Sequence, residues 1–195
     1  PEPFPQGFEF GDTGVLLEPP AGRWLSIPFH LDGKELMGVG GLKKVLELSL
    51  VGQAGERIPP TGFHPARRRL QWLGLPSGPL QLEVRAAGTE AALGSIPIEA
   101  GIVGEHPPAD LTPWIREVTF QVKTGSGTRV KKATAEIFWG DATDQPKRRR
   151  WLYNAKIWIP NIHVTANIEA PGYAPVPLLL SDATHEVWMD PLESH

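Results

Sequence analysis

Five short segments alternate apolar and polar residues, and that period of two constrains the fold more than any other feature. They are Leu46-Glu-Leu-Ser-Leu50, Leu80-Gln-Leu-Glu-Val-Arg-Ala86, Val118-Thr-Phe-Gln-Val122, Ala133-Thr-Ala-Glu-Ile137 and Val164-Thr-Ala-Asn-Ile168. Successive side chains of an extended strand point to opposite faces, so each segment buries one face and wets the other. Strands with one wet side belong to antiparallel sheets. Turn signals separate the apolar runs: Asp32-Gly33, Gly52-Gln-Ala-Gly55, Leu75-Pro-Ser-Gly78 and Gly125-Ser-Gly127. Strands and turns at this spacing predict a β-sandwich. The one weak helical pattern lies within residues 40–50, through Leu42-Lys-Lys-Val-Leu46. Its valine and its alternation favour a strand there.

Composition narrows the class. Glycine and proline number 21 each in 195 residues, and neither can be spread through helices. Seven tryptophans and the regular alternation argue against disorder. The formal net charge is −3, which supports neither a nucleic-acid-binding face nor a polybasic membrane anchor. No run approaches the roughly 18 apolar residues of a spanning helix, so membrane insertion is not expected. The absence of cysteine excludes disulfides, thiolate nucleophiles and Cys-ligated zinc. It fits an extracytoplasmic bacterial protein, a virion protein or a thermophile protein, and leaves a cytoplasmic location open. The start Pro1-Glu-Pro-Phe-Pro5 reads as a mature terminus or the edge of a longer chain.

The expected organisation is all-β, with two tandem antiparallel β-sandwich domains. Residues 104–113 hold three prolines among polar neighbours and read as a stiff linker. That divides the chain into 1–103 and 114–195; one sandwich with a long loop is the alternative. An internal echo supports the division. Arg67-Arg-Arg69 precedes Leu75-Pro-Ser-Gly and an alternating strand that ends Ala86-Ala-Gly88. Arg148-Arg-Arg150 precedes Ile159-Pro-Asn-Ile and an alternating strand that ends Ala170-Pro-Gly172. A second echo matches residues 48–58 to residues 120–130. The offsets differ, so the repeat is divergent.

Residues 118–137 run strand, glycine turn, basic and β-branched residues, then Ala133-Thr-Ala. Glu169-Ala-Pro-Gly-Tyr173 then closes a strand ahead of a second apolar run. In these motifs the stretch from Trp114 to Leu192 resembles the transthyretin-like, carboxypeptidase-regulatory type of β-sandwich. Residues 140–151 depart from that pattern, with Asp141, Asp144 and a basic run in place of the family's hairpin. The resemblance implies a spacer, chaperoning or adhesion module on a larger secreted protein, without catalysis. The first half looks like a generic immunoglobulin-like sandwich.

Catalytic and metal chemistry find little support. The six histidines, among them His163 and the terminal His195, show no helical zinc spacing. No Gly-x-Ser-x-Gly is present. Gly125-Ser-Gly-Thr128 lacks the lysine of a phosphate loop and reads as a hairpin turn. Asp141 and Asp144 are too few for calcium, which takes six or more oxygens, and nothing fixes two acids at a glycosidase separation. No cofactor and no metal are expected, and the chain is not expected to be an enzyme. A hydrolase with an assembled acid or metal site is the third-ranked reading.

Binding is the remaining possibility. The basic runs, Arg67, Arg68 and Arg69, then Lys147 with Arg148, Arg149 and Arg150, each lead into an apolar strand with Trp72 or Trp151 after it. They read as edge-strand protection, or else as a docking site for an acidic or glycan partner with cation–π contacts. Trp158 and Trp188 lie opposite the apolar faces of their strands and form a candidate aromatic surface. A protein interface or self-association is preferred over sugar stacking, and cover by a neighbouring domain is the plain alternative. Pro171-Gly-Tyr173 reads as a turn, and Pro175 and Pro177 place the following strand on an edge. The expected function is a structural or protein-interaction module of a larger bacterial or viral surface assembly. A carbohydrate-binding module is the alternative.

Overall fold

The computed structural model describes residues 23–36, 39–64, 69–90, 92–99, 103–140, 148–152 and 156–192. The fold is all-β. Its first strand set comprises β1 (Arg23–Leu31), β2 (Lys34–Glu35), β3 (Leu46–Val51), β4 (Arg57–Ile58), β5 (Gly62–His64), β6 (Arg69–Leu75), β7 (Leu80–Ala86), β8 (Ala92–Ile98), β9 (Gly104–Glu105) and β10 (Ala109–Asp110). The second comprises β11 (Ile115–Thr124), β12 (Thr134–Trp139), β13 (Arg148–Trp151), β14 (Lys156–Pro160), β15 (Val164–Glu169), β16 (Val176–Leu179) and β17 (Thr184–Met189). One helical turn, α1 (Val39–Leu42), precedes β3. The ambiguous stretch thus divides: its first residues make that turn, and the strand begins at Leu46.

Both sets share one strand order, to which the first set adds β5 beside β6 and β2 beside β1. β1 lies between antiparallel β6 and the parallel pieces β9 and β10, and β11 lies between antiparallel β14 and parallel β17. The second sheets run β4-β3-β7-β8 and β13-β12-β15-β16, antiparallel throughout. The immunoglobulin-like expectation holds as an architecture of packed sheets. In a constant-type immunoglobulin domain, however, the first strand pairs along its length with the second; here β1 meets the two-residue β2 only at its end, and its main partners are the later β6, β9 and β10.

Residues 104–113, read from their prolines as a stiff connector, supply β9 and β10. Pro107 and Pro108 sit between those pieces, where no ladder donor is needed, and Leu111 is fully buried. Asp110 Oδ1 accepts from the backbone N–H (3.0 Å) and the hydroxyl (2.5 Å) of Thr112. These bonds lower the carboxyl's pKa from its ordinary value. Thr112 Oγ1 accepts from the Asp32 N–H at 2.8 Å.

Two apolar clusters fill the sets. One gathers Leu25, Ile27, Phe29, Leu70 and Trp72 with their neighbours; the other gathers Val118, Ile137, Ile157, Val164 and Ile168. Leu93 packs against both. Trp114 and Trp158, from the second half of the chain, pack on the first cluster. Trp139 Nε1 donates to the Ala87 carbonyl at 3.0 Å.

Gly94 is one position where these elements pack tightly. A Cβ there would lie 2.5 Å from Trp114 Nε1. Gly94→Ala must displace an indole, and overpacking of this kind costs about 1–3 kcal/mol. The expected result is a lower urea midpoint at unchanged m-value; an unchanged midpoint would show that the indole is not pressed against this strand.

Candidate functional site

The register of the second set builds one row across three strands: Trp151 on β13 faces Thr134 on β12, which faces Glu169 on β15. The next row is Arg149, Glu136 and Asn167. Both rows point away from the core, because the alternate positions Ala135, Ile137, Ala166 and Ile168 are buried. At strand spacing the first row spans roughly 10 Å. It forms one wall of a cleft of about 700 Å³, within the ordinary range of ligand sites.

The Pro-Gly-Tyr turn supplies the opposite side. Gly172 takes φ +82°, which suits glycine, and the turn brings Pro171, Tyr173 and Pro175 to the cleft. Backbone bonds hold it: Ala174 N–H donates to Asp190 O (3.0 Å), and Leu192 N–H to Gly172 O (2.9 Å). The feature read as a plain turn is therefore also a cleft wall.

Charge sets the character of the site. Lys132, Arg149 and Arg150 line it with one carboxylate, Glu169. Arg149 reaches Glu136 and Glu169 only at 3.5 Å each, with a side chain 63% exposed. Lys132 and Arg150 have no ion pair among the described residues. Lys132 sits at φ +59°, an uncommon conformation for a side chain with a Cβ. The corresponding sheet of the first set is closed by contrast. There Arg57 meets Glu83 at 2.8 Å, and Arg85 meets Glu90 at 2.7 Å and Glu47 at 2.9 Å.

The expected site residues separate. Arg149 and Arg150 line the cleft. Arg148 does not: half-buried, it donates from Nη1 to the Trp158 carbonyl at 2.8 Å, tying β13 to the other sheet. Burial, and then the neighbouring Arg150, lower its pKa from the ordinary guanidinium value. Arg69 pairs with Glu105 at 2.8 Å in the first set. Arg67, Arg68, Lys147, Asp141, Asp144 and His195 lie outside the described residues. Trp158 and Trp188 share the outer face of the β14-β11-β17 sheet, opposite Glu117 and Lys123 respectively. Those positions are about 20 Å apart along β11, so the two rings make no joint surface. The Trp158 ring lies over Gly41, 3.5 Å from where a Cβ would stand; the neighbouring strand set covers it. Trp188 is 50% exposed, with Lys123 Nζ 5.5 Å from its ring centroid. Glu186 accepts from that ammonium at 2.6 Å.

Lys132, Thr134, Glu169 and the cleft role of Tyr173 and Trp151 were missed. The Arg-x-Trp alternation of β13 was the available signal, but its partners come from strands distant in the chain. Gly125–Gly127 forms the expected turn, with Gly127 at φ +81°. His185 is buried beside Phe120, ring centroids 5.8 Å apart.

No family model matches the chain, and comparison with curated protein sequences finds no match. Solved structures give weak likenesses. The Bacillus anthracis TIE protein is 11% identical at a TM-score of 0.31, over 85% of this chain and 32% of that one. A DUF3823 family protein from Bacteroides ovatus is 14% identical at 0.33, over 82% of this chain and 100% of that one. The Streptococcal ancillary pilin is 10% identical at 0.29, over 87% of this chain and 63% of that one. Nothing is transferred from these proteins at such values.

Exposed positions that serve binding leave stability untouched when replaced. Trp151, 64% exposed, should tolerate alanine within about 0.5 kcal/mol. Lys132→Gly relieves its backbone and loosens the unfolded chain, so it should change stability by less than about 1 kcal/mol. Urea unfolding checks both; a large loss at either position would make it part of the core scaffold.

Proposed function

We propose that the chain is a non-catalytic interaction module that docks an acidic protein segment through the cleft beside β13. The observation that carries the reading is the imbalance of charge: three cations and two aromatic rings meet one carboxylate on a rigid sheet face. Two of those cations have no ion pair among the described residues. An acidic partner gains these contacts without displacing an existing pair. A glycan reading draws on the exposed Trp151 ring, but cationic side chains dominate the lining.

We place this site on the second of two tandem units joined near residues 104–113. The transthyretin-like reading of that unit is supported by β15 running into Ala170-Pro-Gly-Tyr173 ahead of β16. The matching strand order of the first set supports one plan used twice. The proposed setting is a larger bacterial or viral surface assembly outside the cytoplasm, in keeping with the cysteine-free composition.

Tryptophan fluorescence titration tests the reading, with poly-glutamate, polygalacturonate and a neutral polysaccharide as probes. Poly-glutamate should bind with an affinity that falls with salt. Arg150→Glu should weaken it about tenfold, the equivalent of ~1.4 kcal/mol. Glu136→Gln, which removes one of the two carboxylates near Arg149, should tighten it about two- to threefold. A response to the polysaccharides with none to poly-glutamate would transfer the site to glycans.

A further inference from the structure

The most exposed tryptophans, Trp151 and Trp188, lie on two open strand edges of opposite charge. On β13 the Leu152 N–H donates to Ala133 O at 2.9 Å. With the register of this antiparallel pair, Arg148 and Arg150 turn their peptide groups to β12. Arg149 and Trp151 turn theirs outward. On β17 the Thr119 N–H donates to Ala183 O at 2.9 Å. The parallel register then turns the peptide groups of Thr184, Glu186 and Trp188 outward. Among the described residues no strand pairs with either edge. The contacts of residues 173 and 174 fall beyond the end of β17.

The two edges are complementary in charge. β13 carries three arginines, and residues 182–190 carry Asp182, Glu186 and Asp190 with no lysine or arginine. Other edges are less suited: β4 has two residues and β5 three, β14 ends in Pro160, β8 contains Pro97 and β16 contains Pro177.

We propose that the β13 edge of one copy of this chain pairs with the β17 edge of another. The occupant of the open edge is thus a second copy, whose β17 is the acidic segment. The proposal rests on the acid-binding reading of the cleft. Strand addition supplies backbone hydrogen bonds, and opposite charges facing across strands favour the correct pairing while like charges oppose others. An antiparallel pairing lets Arg149 and Glu186, whose peptide groups both face outward, exchange backbone hydrogen bonds as a directly opposed pair, and it sets Trp151 opposite Thr184. The joined surfaces differ, so the contact is head-to-tail and propagates. A contact of a few residues is small, so assembly is weak and concentration-dependent.

Sedimentation velocity on the full chain tests this at low salt, up to about 0.5 mM, where contacts of millimolar strength register. The wild type should grow with concentration and return to monomer in high salt. Arg149→Glu/Arg150→Glu and Asp182→Lys/Glu186→Lys should each remain monomeric alone and assemble when mixed, because the swap restores opposite charges at both contacts. Should Glu186→Lys disturb folding, Thr184→Pro serves instead. It removes an outward N–H, leaves the ladder to β11 intact, and should abolish assembly without changing charge. A wild type that stays monomeric, or assembly indifferent to the charge reversals and to Thr184→Pro, overturns the proposal. Poly-glutamate titration of the same samples separates the outcomes: retained binding by a monomeric wild type leaves the cleft reading standing and removes only the second copy.

Discussion

In each strand set the first strand must wait for the last. β1 and β11 are the longest strands of their sets, at nine and ten residues. Each is held on one side by an antiparallel neighbour and on the other by a parallel one from the end of the set. A parallel neighbour cannot come from a hairpin; the chain must cross over first. Closing such a pair orders many residues before the contact is made, which favours slow, cooperative folding. The fixed strand order also fixes which backbone edges remain open.

The half-buried strands were legible because one side of each stays wet. Leu80–Ala86 is β7 residue for residue, and the other four alternating segments fall within β3, β11, β12 and β15, apart from Ala133 just ahead of β12. β1 gave no such signal. Residues 25–29 are all buried, including Ser26 and Pro28, so period two vanishes. β9 and β10 were illegible for a different reason: two-residue pairings flanking prolines look like a connector. The first echo joins equivalent strands, β7 and β15. The second sets β3 against β11, which occupy different places in the order; alternation before a glycine turn recurs in any sandwich and does not identify a position.

The cleft was illegible because register, not local sequence, assembles it. Trp151, Thr134 and Glu169 come from three strands, and a shift of one residue would send each side chain to the other face. The triple-arginine run hid a division of labour for the same reason. Alternation turns Arg148 inward to the Trp158 carbonyl and Arg149 outward to the cleft, while Arg150, inward by parity but at the exposed edge, reaches the cleft from the rim. A run of identical residues on a strand is thus several different interactions.

The two sets follow one strand order but finish it differently. In the first, the closing role is split between β9 and β10, with His106-Pro-Pro108 between them. Two missing donors there spoil the edge for any added strand. In the second, β17 runs six residues without proline. The charges diverge in the same sense. Arg57 and Arg85 of the first set are matched by Glu83, Glu47 and Glu90, while the face around β13 keeps cations to spare. A shared order with one set neutralised and interrupted, and the other charged and continuous, concentrates the capacity for new contacts in the second half of the chain.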